Sequence, residues 1–582
     1  MTTAFLVRTP AAPRRPNGTG TRVWWLLAAG WAAQVALRLW LNRYHAAPVA
    51  NPDETGYLLA ARWLAGGAAA DLSGSTFYHA GYALLLVPIF WLTSDPESAY
   101  RLAVGVGAVA GACAYPMAYV LLRRLRLGRR AALVVAFAAG LSPSVLVFSG
   151  FALADAVLPV VVLGWLVALH DLVADEPARR RVWAGGFAGS GRLWGGVEAG
   201  SGRRRVWAGA AAGGLAAYAM AVHLRGTVIV AVCLLLAVAL WRRLPRAALI
   251  ATLAAAVAGA VAGDALNGAL RAALYPQGPR DLSALLVERL TSLEGQAWAL
   301  SGAAGQLWYL IAGTWGLAGV GLAGALALMA RRSAPLAPRV LAGVLLVTTL
   351  GIAYASSAAL PDEHRVGNFA YGRYLACVAV AWTLAGMLVL LRTGRRGVVR
   401  HALAAAGLLA VTGGMTAWYA GDRLHSHAFI AFDFPEVIFL TGVPDALDLT
   451  AASLSALALL ACLAAAALVR RPAWLTAVVL ALIHVAFVAH LAPAPPTPGP
   501  DGLPAPSPPG RVAVEAGVKW NVWVPLSYRV WWTRIERYQG TPPEGVCTAV
   551  VPQDAGPPPA GWTPTGSGHG WTTWTRCGPR RA

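Results

Sequence analysis

Apolar runs of about 20 residues, each long enough to cross ~30 Å of hydrocarbon as a helix, recur along most of this 582-residue chain. Inside a bilayer every backbone N–H and C=O must find its partner within the protein, so repeated runs of helical length dictate a helical bundle. Window reading places spans near 23–42, 102–122, 131–150, 156–174, 206–224, 226–241, 247–268, 306–330, 339–360, 372–392, 401–420, 450–469 and 472–492. The expected fold class is an all-α polytopic membrane protein of about 13 transmembrane helices with a large first outer loop. Composition agrees: 57% of residues are hydrophobic and 13% charged, too few charges to cover a water-facing exterior. The formal net charge of +21 does not point to nucleic acid. Lys519 is the only lysine, the arginines punctuate the ends of apolar runs, and no basic helix interleaved with polar residues is present.

Arginine placement sets the expected orientation. Residues 1–22, with Arg8, Arg14, Arg15 and Arg22, form a cytoplasmic segment, and Val23 to Leu41 is too long for a signal-peptide core, so it is read as a retained first helix. The clusters Arg123 to Arg130, Arg179 to Arg181, Arg203 to Arg205, Arg242 with Arg243, Arg331 with Arg332, Arg392 to Arg396 and Arg470 with Arg471 then all fall on the inner side. Tyr82 to Leu92 is apolar but short, and is expected to be an interfacial or re-entrant helix within the first outer loop, 43–101. The motif Arg-Arg-Arg-Val-Trp-Ala-Gly occurs at Arg179 to Gly185 and again at Arg203 to Gly209, which reads as a duplicated, solvated inner loop. The transmembrane domain ends at about 492, and a Pro-rich linker spans 493–510. A small extracytoplasmic domain follows at 511–582, where Val522 to Val524 and Tyr528 to Trp532 favour short strands. Outside the cell thiols oxidise and a domain this small needs bracing, so Cys547 and Cys577 are expected to form a disulfide. Cys113, Cys233, Cys377 and Cys462 lie in spans and need no special role. Arginine almost to the exclusion of lysine, with much Ala, Gly and Pro, suggests a GC-rich bacterial genome and hence a bacterial inner membrane, with the N-terminus cytoplasmic and the C-terminus outside.

The stretch Asn51-Pro52-Asp53-Glu54-Thr55-Gly56-Tyr57-Leu58-Leu59-Ala60-Ala61-Arg62 puts two adjacent carboxylates just beyond the outer end of the first helix. One reading is local: Pro52 favours a helix start, and Asp53 caps a short helix along the membrane surface. The other is catalytic. Pro52-Asp53-Glu54-Thr55 with Tyr57, Ala60 and Arg62 resembles the Asp-Glu segment in the first outer loop of GT-C glycosyltransferases, the group of the lipid A aminoarabinose transferases and protein O-mannosyltransferases. Asp95-Pro96-Glu97-Ser98-Ala99-Tyr100-Arg101-Leu102 is similar to the segment introducing the next helix in many bacterial members. The organisational likeness covers roughly residues 20–490, and the motif likeness about the first 160.

The resemblance implies an inverting transfer of a sugar from a polyprenyl-phosphate carrier to an acceptor hydroxyl on a glycan, lipid or protein, at the outer face of the bilayer. Asp53 would be the general base, because a hydroxyl is a poor nucleophile at neutral pH and desolvation near a low-dielectric boundary raises a carboxylate's basicity. Glu54 would orient the acceptor or Asp53. Asp155, at the outer turn between the third and fourth spans, is the second acidic candidate, since a carboxylate between apolar helices needs a partner or water. No cofactor is required; a divalent cation held by the two carboxylates stays open, although no Asp-x-Asp or Asp-x-Glu pair stands at 155. The leaving phosphate calls for outer-face cations. Arg373 is the first candidate, in a polar, aromatic loop with His364, Arg365 and Tyr371, whose alternative role is an interfacial belt. His223 and Arg225 follow at the outer turn between the fifth and sixth spans. The chain departs from the aminoarabinose-transferase pattern where Tyr78-His79-Ala80 stands in place of a Glu-Lys pair, leaving His79 as a substitute phosphate donor. Arg280, Asp281, Glu288 and Glu294 lie in an amphipathic loop that would cover a lipid groove. A polymerase or ligase using lipid-linked oligosaccharide, and a polytopic transporter, are the rival readings. No internal half-to-half repeat favours transport, and no Gly-rich phosphate loop favours a nucleotide donor.

Overall fold

The computed structural model describes residues 19–174, 199–469, 474–493, 502–506 and 510–577. The segment with Arg8, Arg14 and Arg15, the first copy of the duplicated motif, Arg470 with Arg471, and most of the Pro-rich linker lie outside the described residues. Apolar sequence becomes helix almost throughout. Among the described residues seven helices are long and apolar enough to cross a membrane, or eight if one bent pair is a single span. In the Arg246–Leu274 helix only 17% of the apolar window is buried, and Ile250, Val257 and Val261 stand about 60% exposed, as expected where lipid is the solvent.

The count of about thirteen spans is not confirmed among the described residues, because several expected spans are broken or short. The expected span 131–150 divides into Arg129–Gly140 and Pro143–Phe148, because Pro143 cannot donate to the preceding turn and disfavours helix at Ser142. The expected spans 226–241 and 472–492 are the shorter helices Gly226–Ala239 and Trp474–His490. The expected span 306–330 becomes two helices, Leu293–Gly313 and Leu317–Ala330, that meet at 111°. Trp315 (φ 57°) and Gly316 (φ 79°) make that corner. The buried Trp315 ring packs 5.4 Å from Phe439 and 6.1 Å from Phe487. Burying the indole outweighs continuing the helix. Elsewhere small residues let helices approach: a Cβ on Gly213 would lie 2.1 Å from the Thr252 carbonyl oxygen of the neighbouring Arg246–Leu274 helix.

Residues 43–101, expected to form the first outer loop, contain two helices, Asp53–Leu64 and Ala80–Leu92. The second has 13 residues, so its length of about 20 Å falls short of the hydrocarbon core. The C-terminal part is a five-stranded sheet in the order β2-β1-β3-β5-β4, with β1 Arg511–Glu515, β2 Glu536–Tyr538, β3 Val546–Val551, β4 Thr563–Gly568 and β5 Trp571–Thr575. β1 pairs in parallel with both β2 and β3, whereas β5 pairs antiparallel with β3 and β4. Cys547 in β3 is disulfide-bonded to Cys577 just after β5.

The stretch expected to form strands at Val522 to Val524, and the start of the one at Tyr528 to Trp532, instead lie in a helix, Trp520–Arg529. Parallel pairing of β1 with β2 requires a crossover between them, and this segment supplies it. Its buried face also ties the sheet to the first outer loop. Arg62 Nη1 donates to the carbonyls of Ser527 (3.1 Å) and Val530 (3.3 Å), and the Tyr528 hydroxyl donates to the Pro96 carbonyl at 2.6 Å.

Candidate active site

Two helices run from the site to the opposite end of the bundle. Leu158–Val173 begins just after Asp155, and Ala376–Arg392 begins just after Arg373. Both end among the arginine-rich loops, where Arg124 pairs with Asp171 at 2.7 Å. At sixteen and seventeen residues, each separates its ends by about 25 Å.

At the site the chain brings together residues from four distant segments. Arg373 Nη1 lies 2.6 Å from Asp53 Oδ2, and its Nε lies 2.9 Å from Asp155 Oδ2. Arg225 Nη2 takes the other Asp155 oxygen at 2.6 Å, while its Nη1 donates to the carbonyls of Arg373 and Tyr374. The result is an alternating chain of charges, Asp53, Arg373, Asp155, Arg225. Exposure is concentrated at one end of it: the Asp53 side chain is 30% exposed and Arg373 11%, whereas Asp155 is 1% and Arg225 4% exposed. Arg373 stands between the two carboxylates, and among the described residues no group of three or more His, Cys, Asp or Glu side chains converges.

Asp53 does not cap its helix. Pro52 occupies the cap position without a side-chain bond, Asp53 is the first helical residue, and its carboxylate turns to Arg373 and to the Tyr78 hydroxyl, which donates to Oδ1 at 3.3 Å. Nor is it in the dry surroundings expected for a base activated by desolvation; it is an ion-paired, partly open carboxylate. The adjacent Glu54 is fully buried and saturated. Its Oε2 accepts from the Val49 and Ala50 N–H groups at 2.7 Å each, and its Oε1 accepts from the Tyr100 hydroxyl and the Ala152 N–H at 2.8 Å each. Burial raises its pKa against the pull of those donors. Glu54 thus pins the loop at 43–101 to Ala152, three residues before Asp155.

His79 and His223 stack with ring centroids 6.3 Å apart. Both are neutral at physiological pH. Burial first, then Arg271, pulls His79 down to about 4, and burial first, then Arg225, pulls His223 well below its usual value. The backbone N–H and Nε of Arg225 both donate to His223 Nδ1, which assigns that ring's proton to Nε2. Each imidazole thus offers a ring N–H as a hydrogen-bond donor. Arg365 and Tyr371 sit to one side, the guanidinium 5.6 Å from the ring centroid, with Arg365 also 3.2 Å from Glu363.

Three features escaped the sequence reading. Tyr78 is a partner of Asp53. Glu436 is buried, accepts from the Tyr309 hydroxyl at 2.6 Å, and is pushed up to about 6 by burial. Asp433 is 4% exposed, its Oδ2 has no hydrogen-bond partner among the described residues, and Arg365 Nη1 stands 3.8 Å away. Two carboxylates amid the aromatics of Phe429-Ile430-Ala431-Phe432-Asp433-Phe434-Pro435-Glu436 were the available signal. Burial pushes Asp433 up to about 6. A carboxyl that holds its proton more tightly when folded stabilises the protein most at low pH and loses that contribution as pH rises through about 6. The thermal unfolding temperature of the native chain is thus expected to fall from about pH 4 to pH 7 on this group's account. Asp433→Asn should flatten the profile in that window and unfold at a higher temperature at pH 7.5; parallel profiles would show that burial does not govern this group.

No protein-family profile and no curated protein sequence matches the chain. Solved structures do. The crystal structure of ArnT from Cupriavidus metallidurans bound to undecaprenyl phosphate matches 97% of this chain and 99% of that chain, with TM-score 0.52 and 15% identity. The same protein in the apo state matches over 95% and 100%, again with TM-score 0.52 and 15% identity. The apo oligosaccharyltransferase of Archaeoglobus fulgidus is a looser likeness: 13% identity, 92% of this chain, 70% of that chain and TM-score 0.45. The chain shares the fold of ArnT. Fold alone does not assign chemistry.

Proposed function

We propose that this protein is a multi-pass membrane glycosyltransferase that moves a sugar from a polyprenyl-phosphate carrier to an acceptor hydroxyl, with inversion, and with Asp53 as general base. The observation that carries this reading is the charge chain: only Asp53 is open enough to meet an acceptor, while Arg373, Asp155 and Arg225 hold it from behind. The acceptor oxygen attacks the anomeric carbon as its proton passes to Asp53, and the bond from that carbon to the phosphate oxygen breaks with its electrons leaving on the phosphate. Protonation of Asp53 cancels its charge and loosens its hold on Arg373 Nη1, which becomes available to the leaving phosphate as negative charge develops there. Proton transfer and leaving-group stabilisation are thereby coupled through one guanidinium. Arg225 is too buried to touch substrate and acts by positioning Asp155 and the Arg373 backbone. His79 and His223 supply neutral N–H donors, and Arg365 with Tyr371 a flanking polar wall.

A carrier of this kind is supported by the fold shared with a protein that binds undecaprenyl phosphate, and by the lipid-facing apolar surface, which suits a long polyprenyl tail. The site lies at the end of the bundle away from the arginine clusters, which by the positive-inside rule is the outer face of a bacterial inner membrane, with the N-terminus cytoplasmic and the C-terminal sheet outside. The test supplies purified protein with radiolabelled polyprenyl-phosphate sugars and, separately, nucleotide sugars, and determines the anomeric configuration of the product. Transfer from the lipid donor alone, with inverted configuration, is the expected result. Transfer from a nucleotide sugar, or retention, would reject the proposal.

A further inference from the structure

At the arginine-rich end of the bundle, about 25 Å from the carboxylates by the lengths of the Leu158–Val173 and Ala376–Arg392 helices, lies a cavity of about 1050 Å³. Its wall is apolar, with Met117, Val167, Leu215, Leu328 and Leu336. Its charged lining residues, among the described residues, are Arg124, Arg126, Arg204 and Arg392 with one carboxylate, Asp171. That carboxylate is committed: it takes Arg124 through two bonds, Nε at 2.7 Å and Nη2 at 2.9 Å, and the His170 ring at 3.2 Å. Asp171 is thus occupied by Arg124 and His170, and Arg126 and Arg392 make no ion pair with it among the described residues. Arg126 is exposed, makes no side-chain hydrogen bond or ion pair among the described residues, and adopts a left-handed backbone (φ 64°) that is uncommon outside glycine. Arg392 donates to the Leu125 carbonyl, which brings it beside Arg126. Trp207, lining the same cavity, is 66% exposed, an amphipathic ring of the kind that settles at headgroup depth.

We infer that this cavity is a binding site for an anionic phospholipid of the inner leaflet, its phosphate held by Arg126 and Arg392 and the first methylenes of its acyl chains lying against the apolar wall. A soluble phosphate would need the arginines but not the wall, and a neutral lipid the wall but not the arginines. The volume, at the top of the ~300–1,000 Å³ usual for small-molecule pockets, admits a headgroup together with the beginnings of its chains. Clustered arginines between helices at the cytoplasmic surface are a recurrent way to hold acidic lipid headgroups. The site is separate from the transfer site and does not rest on the proposed chemistry.

The test is thermal unfolding of the full chain in neutral detergent, titrated with cardiolipin, phosphatidylcholine or inorganic phosphate. Cardiolipin is expected to raise the unfolding temperature by several degrees, and the other two not. In Arg126→Gln/Arg392→Gln the apparent affinity for cardiolipin should fall about tenfold or more. Ala211→Trp, at an exposed position lining the cavity, should abolish the shift by filling the wall while leaving every arginine in place. Equal stabilisation by inorganic phosphate would overturn the lipid assignment, equal stabilisation by phosphatidylcholine would overturn the role of charge, and an unchanged cardiolipin response in Ala211→Trp would remove the site from this cavity.

Discussion

Asparagine at position 53 is expected to lower sugar transfer by about 10²- to 10⁴-fold, the range general bases contribute, while leaving the fold intact. Its amide oxygen can still accept from Arg373, and Asp155 continues to hold that guanidinium from the other side. Initial rates with a saturating lipid donor and matched protein give the loss; unfolding temperature in detergent gives the control. Glu54→Gln provides the contrast. Four donors converge on Glu54, two on each oxygen, and glutamine offers only one oxygen to them. That variant should lose stability, by about 1–3 kcal/mol for each buried donor left unsatisfied, before it loses anything attributable to the chemical step. If Asp53→Asn transfers at the native rate, Asp53 is not the base. If both variants fail together by unfolding, the loop rather than one carboxylate would explain the loss.

The second large effect lies one step further back. Arg225→Met removes one of the two cations facing Asp155, which is 1% exposed, and stranding a buried charge in this way typically costs about 3–5 kcal/mol. Arg373 Nε remains on the other oxygen, so the loss falls at the lower end of that range if Arg373 can shift to compensate. Adding Asp155→Asn to Arg225→Met should recover much of the stability, because the uncompensated charge is then gone. A double-mutant cycle on unfolding free energy should return a coupling of about 0.5–3 kcal/mol, and strict additivity would mean the pair does not interact. Transfer should stay impaired in the stable double variant, since Arg373 has lost the anchor that sets its position between the carboxylates.

The first outer loop was the most legible part of the site. Pro52, Asp53 and Glu54 announce a helix start and two carboxylates within three residues, and that information is local. The division of labour between them is not. Successive side chains on a helix point about 100° apart, so one of two neighbours faces the site and the other faces the protein. Only the packing of Tyr100 and Ala152 against this helix decides that Glu54 is the buried one. Arg373 was recognisable as an outer-face cation, but its place between Asp53 and Asp155 joins residues 320 and 218 positions away. Asp433 went unnoticed for the same reason: its meaning comes from Arg365 and the burial around it.

What the sequence by itself determined is the solvent and the class of fold, and it set the expectation of which end of the bundle carries the chemistry. Apolar runs of spanning length, arginines at their ends and carboxylates in one loop are each local patterns, and each is enforced by the free energy of putting a particular stretch in lipid or water. Tertiary structure alone decided the helix break at Trp315 and Gly316, and that the aromatic tail segment is a crossover helix rather than a strand. It also decided which charges meet. A helix break, a crossover and a buried ion pair each depend on what a residue packs against, and those partners lie tens to hundreds of residues away in the chain.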